Sequence, residues 1–420
     1  FGGFNYVLRQ RTAMHVAAKL ARKYKTDEYK AEYAAHIKGL KKGEEPRLPD
    51  PSKVRIRTYA TQSTHKTLTS FRQASMIHIW DEDFKRKSEA SFHEAYMTHT
   101  STSANYQILA SMDVGRRQVE FEGYELVEKA MELGLLLRRT IRENERLKKW
   151  FDIITIADLI PAEHRQSGLE HYYRKDKGWN DIEKAWAEDE FAVDPTKINL
   201  YTGKTGIDGD TFKNVYLMDK HAIQINKTSR NSVLFMTNIG TTRGSLAYLT
   251  KVLLQIADEL EERNAGFEHI DKRIHLNKIK ALTNPDLYPP LPDFSRFHSS
   301  FQGQPGVPGG DIRSAYFLAY KEERYVHIKL HDALTMMSIG QELVSASFVI
   351  PYPPGFPVLV PGQVINQEII NFLLAIDVKE IHGYRPELGL RVFTDAALGR
   401  QRTGTAMGGM SLMAKKAKKK

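Results

Sequence analysis

The chain has 420 residues, 41% of them hydrophobic and 27% charged, which is ample for two or three globular domains with real cores. No apolar run reaches the roughly 18 residues of a membrane span, the start Phe1-Gly-Gly-Phe-Asn-Tyr6 lacks the basic and apolar parts of a signal peptide, and the absence of Cys excludes disulfides, thiolate metal sites and thiol catalysis. The net charge of +10 is uneven. Lys415, Lys416, Lys418, Lys419 and Lys420 form a basic tail, expected to be disordered and solvated. No basic face interleaved with aromatics signals nucleic acid. A cytoplasmic chain without membrane or nucleic-acid partners is the expectation.

Residues 1–45 read as helical, with apolar positions at helical spacing through Thr12-Ala-Met-His-Val-Ala-Ala-Lys-Leu-Ala-Arg-Lys-Tyr24. Pro46, Pro49 and Pro51 then break the pattern into a loop. Val54-Arg-Ile-Arg-Thr-Tyr-Ala-Thr61 alternates apolar and polar, the period of a half-buried strand. Its end leads into Ser63-Thr-His-Lys66, and sheet folds commonly place chemistry where strands end. An amine among small hydroxyls suits a Schiff base with a carbonyl cofactor whose phosphate the hydroxyls and backbone N–H groups hold. A solvated surface lysine is the alternative reading of the same residues. Gln73-Ala-Ser-Met-Ile-His78 follows, and Leu68–Ile79 is expected to be a short helix or turn.

Ser63-Thr-His-Lys66 followed by Gln73-Ala-Ser-Met-Ile-His78 resembles the pyridoxal-phosphate lysine segment of the bacterial ornithine/lysine/arginine decarboxylases. The resemblance implies Lys66 as the Schiff-base residue, Ser63 as a phosphate ligand, and His65 close to the cofactor and the reacting carbon. It implies pyridoxal 5'-phosphate as cofactor and decarboxylation of a basic L-amino acid, lysine or arginine above ornithine. The fold it implies is α/β, an aspartate-aminotransferase-type major domain truncated at its N-terminal side and followed by an α+β C-terminal domain.

Glu89–Tyr96 reads as a helix. Met97-Thr-His-Thr-Ser-Thr-Ser-Ala104 offers a helix N-cap or an anion site at a helix start. It is similar to the family's His-Thr-Thr-Thr-Ser motif, which implies Ser101 and Thr102 as contacts to the cofactor phosphate of a neighbouring subunit, hence a homodimer with shared active sites. By analogy the dimers assemble further into a decamer. Tyr124–Trp150 reads as one long amphipathic helix, with Leu126, Ala130, Leu133 and Leu137 on one side. Val193–Thr202 reads as a loop into a strand, and Thr241-Thr-Arg-Gly opens a helix to about Asn264 with Gly266 as its stop. The loop Thr205-Gly-Ile-Asp-Gly-Asp210 stands where family members carry a substrate-side glutamate, so Asp208 and Asp210 are the candidates for the substrate's distal cationic end. Val349-Ile-Pro-Tyr-Pro-Pro-Gly-Phe-Pro357 is a stiff extended loop, and its resemblance to a mark of the family's C-terminal domain makes Tyr352 a substrate-side candidate.

The domain layout expected is 1–150 for the C-terminal portion of the cofactor-binding major domain, 151–285 for an α/β small domain, 286–310 for a Pro/Gly-rich linker, 311–400 for the C-terminal decarboxylase domain and 401–420 for the tail. The chain begins without Met, in what reads as mid-domain sequence, so a piece of a longer polypeptide is expected. No residue of 1–60 matches the family's aspartate that pairs with the pyridine nitrogen. Two other readings therefore stand beside the decarboxylase: another fold-type I pyridoxal-phosphate enzyme such as an aminotransferase, or a non-catalytic subunit. His93 and His99 lack the spacing and acidic partner of a metal site.

Overall fold

The structure, a computed structural model, describes residues 13–172, 181–303, 310–352, 355, 357–376, 378 and 380–399. The basic tail lies outside these residues, as do Pro353, Pro354 and Phe356 of the proline-rich loop. The chain divides into two compact units, residues 1–283 and 284–420.

In the first unit, α1 (Ala13–Lys23) and α2 (Asp27–Gly39) fill the expected N-terminal helical stretch. Thr26 caps α2 by accepting from the Tyr29 N–H, and Tyr29 is buried with its hydroxyl donating to Pro49 O at 2.9 Å. Next come β1 (Arg57–Ser63), the one-turn α3 (Thr64–Thr67) and β2 (Ser75–Asp81). β1 and β2 form an antiparallel hairpin in a register running from Arg57 opposite Asp81 to Ser63 opposite Ser75. Residues 75–79 are therefore strand, where the sequence suggested helix or turn. Short apolar runs are ambiguous by periodicity, and here the ladder to β1 decides.

α4 (Glu89–His99) and α5 (Tyr106–Glu143) follow, the latter kinked at Glu122. The expected single helix Tyr124–Trp150 is two. Asn144 leaves helical geometry and its side chain accepts from the Arg146 and Leu147 N–H groups, capping α6 (Glu145–Trp150). An Asn at that position competes well for backbone donors, so the helix restarts rather than continues.

β3 (Asp152–Ile153) leads through α7 (Ile156–Leu159) and α8 (Ile182–Glu188) to β4 (Lys197–Tyr201). After α9 (Gly209–Thr211) come β5 (Lys227–Thr228), β6 (Ser232–Met236), α10 (Arg243–Ala265) and α11 (His269–Thr283). The strands make an antiparallel sheet in the order β3-β4-β6-β5. Leu137 and Ile141 of α5, Ile198 and Leu200 of β4, and Leu253 and Ile256 of α10 meet Phe151, Phe212 and Leu217 in the unit's main core. α10 starts and stops as expected, with Thr242 accepting from Ser245 N–H and Gly266 closing the last turn.

The second unit is a set of short helices and short antiparallel strands. Its three-stranded sheet orders β12 (Tyr384–Arg385), β13 (Gly389–Phe393) and β7 (Tyr325–Ile328). The core gathers Leu343, Val349, Leu359, Ile365, Ile370 and Val392. Gly389 has φ +99°, and a Cβ there would lie 2.0 Å from Ile328 O, so no larger residue fits that ladder. The chain is thus mixed α and β, and every described strand pair is antiparallel. Alternation of strands and helices along a sequence cannot separate this layout from a parallel one, because strand direction is set by the neighbour.

Candidate active site

β1 delivers Lys66 as expected, in the turn directly after the strand. The turn is short because the chain must re-enter the hairpin as β2. Thr64 N–H donates to Ala74 O at 3.1 Å across its base, and Leu68 N–H donates to Thr64 O at 3.1 Å along it. Gln73 sits at φ +69°, a left-handed conformation that costs free energy for a residue with a Cβ. It turns the chain so that the Ala74 carbonyl points at the helix.

That carbonyl also fixes His65, whose Nδ1 lies 3.1 Å from Ala74 O. A carbonyl only accepts, so the Nδ1 proton donates and the neutral ring keeps its lone pair on Nε2. Lys66 is half-buried, and its ammonium meets no hydrogen-bond or ion-pair partner among the described residues. Ser63 occupies the N-cap position of α3, yet its exposed hydroxyl makes no cap bond. Thr64 is 1% exposed and its hydroxyl has no partner. An unpartnered buried hydroxyl is costly and uncommon. The sequence offers Thr64 as one of the small hydroxyls beside Lys66, without a role of its own.

The turn is tied to the rest of the unit at several points. Ile239 N–H donates to Thr67 O at 3.2 Å. The Thr69 hydroxyl donates to Gln118 Oε1 at 3.2 Å, Phe71 N–H to Ser111 Oγ at 3.0 Å, and Arg72 to Gln224 Oε1 at 3.1 Å. Leu68 is buried with Val119, Val127, Met131 and Ile239. The segment before Arg243 thus lies against the lysine turn, a proximity invisible in sequence. At the hairpin's open end, Arg57 and Arg86 hold the buried Asp83 carboxylate at 2.6 and 2.8 Å. Its pKa is held well below the usual carboxylate range by Arg86 first and then Arg57. This acid ties β1 to the segment after β2. Burial also pushes the His78 imidazole below its ordinary pKa.

The other expected residues stand apart. Ser101 and Thr102 are exposed in the loop between α4 and α5. Ser101 Oγ accepts from Ser103 N–H at 3.1 Å, while Asn105, not a hydroxyl of this run, caps α5. No hydrogen bond joins them to the Lys66 turn among the described residues. Asp208 caps α9 by accepting from Thr211 N–H at 2.9 Å, and Asp210 accepts from the Thr228 hydroxyl at 2.6 Å. Both acids therefore hold local structure where they stand. Tyr352 belongs to the second unit, at the end of β9 (Ile350–Tyr352), half-exposed with its ring edge-on to His382.

An amine, an imidazole with a set tautomer and two unengaged hydroxyls fit the carbonyl and phosphate ends of pyridoxal phosphate. Among the described residues no carboxylate bonds to this turn, so the ring-nitrogen end has no partner from it. No described cluster of His, Asp or Glu could hold a metal. No described helix is long and apolar enough to cross a membrane.

Comparison with known proteins identifies the family. The sequence model for the Orn/Lys/Arg decarboxylase major domain matches residues 8–245, and that for the family's C-terminal domain matches residues 323–389. A lysine decarboxylase of Hafnia alvei is 28% identical over 349 residues, covering 75% of this chain and 43% of the relative. The constitutive lysine decarboxylase of Escherichia coli K12 is 27% identical over 348 residues, covering 76% and 45%. The crystal structure of the Francisella novicida lysine decarboxylase shares 24% identity with a TM-score of 0.49, over 83% of this chain and 50% of that one. The chain thus spans less than half the length of the two enzymes from Hafnia and Escherichia.

Proposed function

Because the chain belongs to the Orn/Lys/Arg decarboxylase family, we propose that it carries the lysine turn of a pyridoxal-phosphate-dependent carboxy-lyase acting on a basic L-amino acid, lysine or arginine before ornithine. The observation that carries this reading is Lys66 itself, half-buried and unpartnered at a strand end, flanked by the unengaged hydroxyls of Ser63 and Thr64 and by His65.

When bound, the cofactor supplies the electron sink for the electrons left behind as CO2 departs. The chain's own residues do the rest. Lys66 would hold the cofactor through its amine and could afterwards carry a proton on that amine. The Ser63 hydroxyl would donate to phosphate. His65, with Nδ1 held by Ala74 O, would present Nε2 as the atom that takes or gives a proton. Ser101 and Thr102, exposed and tied only within their own loop, are free to reach the phosphate of a second copy, which makes a homodimer part of the proposal. Asp208 and Asp210 remain the proposed readers of the substrate's distal cation. Asp208 would have to do so beside its cap contact, and Asp210 beside the Thr228 hydroxyl from which it already accepts. Tyr352 is the second unit's proposed substrate-side residue.

A second reading, a subunit without catalysis, is favoured by one observation: the described residues bring no acid to the turn for the ring nitrogen. The experiment is the visible absorption spectrum of the cellular protein with pyridoxal phosphate, with and without Lys66→Ala. CO2 release from L-lysine, L-arginine and L-ornithine is measured alongside. Absorption that disappears in the variant supports the site, and the substrate panel then selects among the three. No cofactor absorption in the unaltered protein sinks the enzyme reading and leaves the subunit.

A further inference from the structure

A cleft in the first unit lies apart from the Lys66 turn, between the C-terminal part of α5, β3, the start of α7 and β4. Besides Tyr172, whose hydroxyl accepts from Val193 N–H at 2.6 Å, its polar lining is Arg138, Arg142, Thr155, His171, Lys197 and Asn199. Three of these are already engaged. The Arg138 guanidinium is fully enclosed and donates to the carbonyls of Gly134, Pro195 and Lys197, the last at 2.6 Å. Thr155 is locked in a capping box with Asp158. Lys197 pairs with Asp194 at 3.4 Å.

The other three have polar atoms without partners among the described residues. Arg142, exposed at the cleft mouth, makes no ion pair, although the neighbouring cations do: Lys148 with Glu145 at 2.6 Å, Lys204 with Asp152 at 3.1 Å and Lys149 with Glu261 at 2.8 Å. The Asn199 side-chain amide makes no hydrogen bond. His171 Nδ1 is buried without a partner. A guanidinium, an amide and an imidazole left open in one cleft, beside a second guanidinium hydrogen-bonded to carbonyl oxygens, form a donor set lacking an acceptor.

We propose that this cleft binds a tetrahedral oxyanion, phosphate, either free or as the terminal group of a small phosphate monoester. Arg142 supplies charge-assisted hydrogen bonds at the mouth, and His171 and Asn199 donate from the walls. The nearby carboxylates do not oppose it in contact, since Asp158, Asp152 and Asp194 are held by Thr155, Lys204 and Lys197, and Glu170 is exposed.

The site also carries a pH signature. Burial, and then Arg142, push the His171 imidazole below its ordinary pKa, against the opposite pull of Glu170, Asp158 and Asp152. An anion beside Arg142 offsets that cation and favours the protonated ring. Binding therefore tightens as pH falls through the histidine range. None of this depends on the decarboxylase reading, because neither Lys66 nor a cofactor takes part.

The test is a titration of the full chain with inorganic phosphate, at constant ionic strength, followed by the His171 ring resonances in NMR. The expected result is a saturable shift that tightens between about pH 8 and about pH 6. Affinity should fall at least about tenfold in Arg142→Gln and stay unchanged in Lys148→Gln, a paired cation in α6 beyond the Asn144 break. A short alkyl phosphate that binds as tightly or more tightly identifies a monoester as the ligand, and one that binds more weakly identifies free phosphate. A response that does not saturate, or an equal loss in Lys148→Gln and Arg142→Gln, overturns the proposal.

Discussion

The β1–β2 hairpin and the β3-β4-β6-β5 sheet belong to one compact unit but are covered very differently. Along β1 and β2 half-buried residues alternate with exposed ones, and Tyr59, Ile77 and Trp80 are 46%, 46% and 39% exposed. In the sheet, Ile198, Leu200 and Val233 are fully buried under α5 and α10. The lysine turn therefore rides on a thinly packed element held by separate hydrogen bonds from Ile239, Phe71, Thr69 and Arg72. The stability of the unit comes from elsewhere. Chemistry and packing occupy different residues, so substitutions should separate them.

The sharpest separation is Lys66→Ala. It should reduce decarboxylation to background and remove the cofactor's visible absorption, while thermal stability without cofactor moves by no more than about 0.5 kcal/mol. A large fall in stability would break the comparison. Phe212→Ala should do the reverse. Phe212 is fully buried against Phe151, and its loss should cost about 3–5 kcal/mol in urea unfolding. Hydrogen exchange at the hairpin should change no more than global unfolding demands.

Arg138→Leu comes next. Burial lowers this guanidinium's pKa to about 10, and it still bridges three carbonyls on two segments. Leaving those carbonyls without their donor should cost about 2–3 kcal/mol in the same unfolding experiment. Gln73→Val should act only on the hairpin. A β-branched residue at φ +69° adds about 1 kcal/mol of strain. Faster exchange of the Thr64 N–H, whose acceptor is Ala74 O, should report it.

The smallest effect expected is the pH response of the sheet side. Burial first, then Arg263 and Lys278, lower the His275 pKa below its unfolded value of about 6.5. The unfolded chain therefore takes up the proton first, and stability falls as pH drops below about 6.5. Replacing His275 with Gln should flatten that part of the melting-temperature profile. An unchanged slope would assign the response to other groups.

Much of the lysine turn was legible in the sequence. A strand pattern leading into Ser63-Thr-His-Lys66 placed the amine at a strand end, and the structure has it there. Helix α10 was legible to within a residue or two because Thr242 and Gly266 are local start and stop chemistry. Residues 75–79 were not, since a seven-residue strand is decided by the partner across the hairpin. Nor were the helix break at Asn144, which a continuous apolar face conceals, and the packing of Ile239 against Thr67. Asp208 and Asp210 were read as candidates for the substrate's distal cation, whereas folding brings a backbone donor to Asp208 and the Thr228 hydroxyl to Asp210.

The resemblance carried by Ser63–Lys66 and Gln73–His78 thus pointed to the family, while residue chemistry and local periodicity determined an amine with neighbouring hydroxyls at a strand end and the ends of the strongest helices, because these depend on residues close in sequence. Tertiary structure decided the rest. The antiparallel direction of the strands, the His65 tautomer set by Ala74 O, the unpartnered Thr64 hydroxyl and the polar cleft around Arg142 and His171 all arise between groups far apart in the chain. Periodicity records which face of an element is apolar, but not which partner that face meets or which polar atom is left without one.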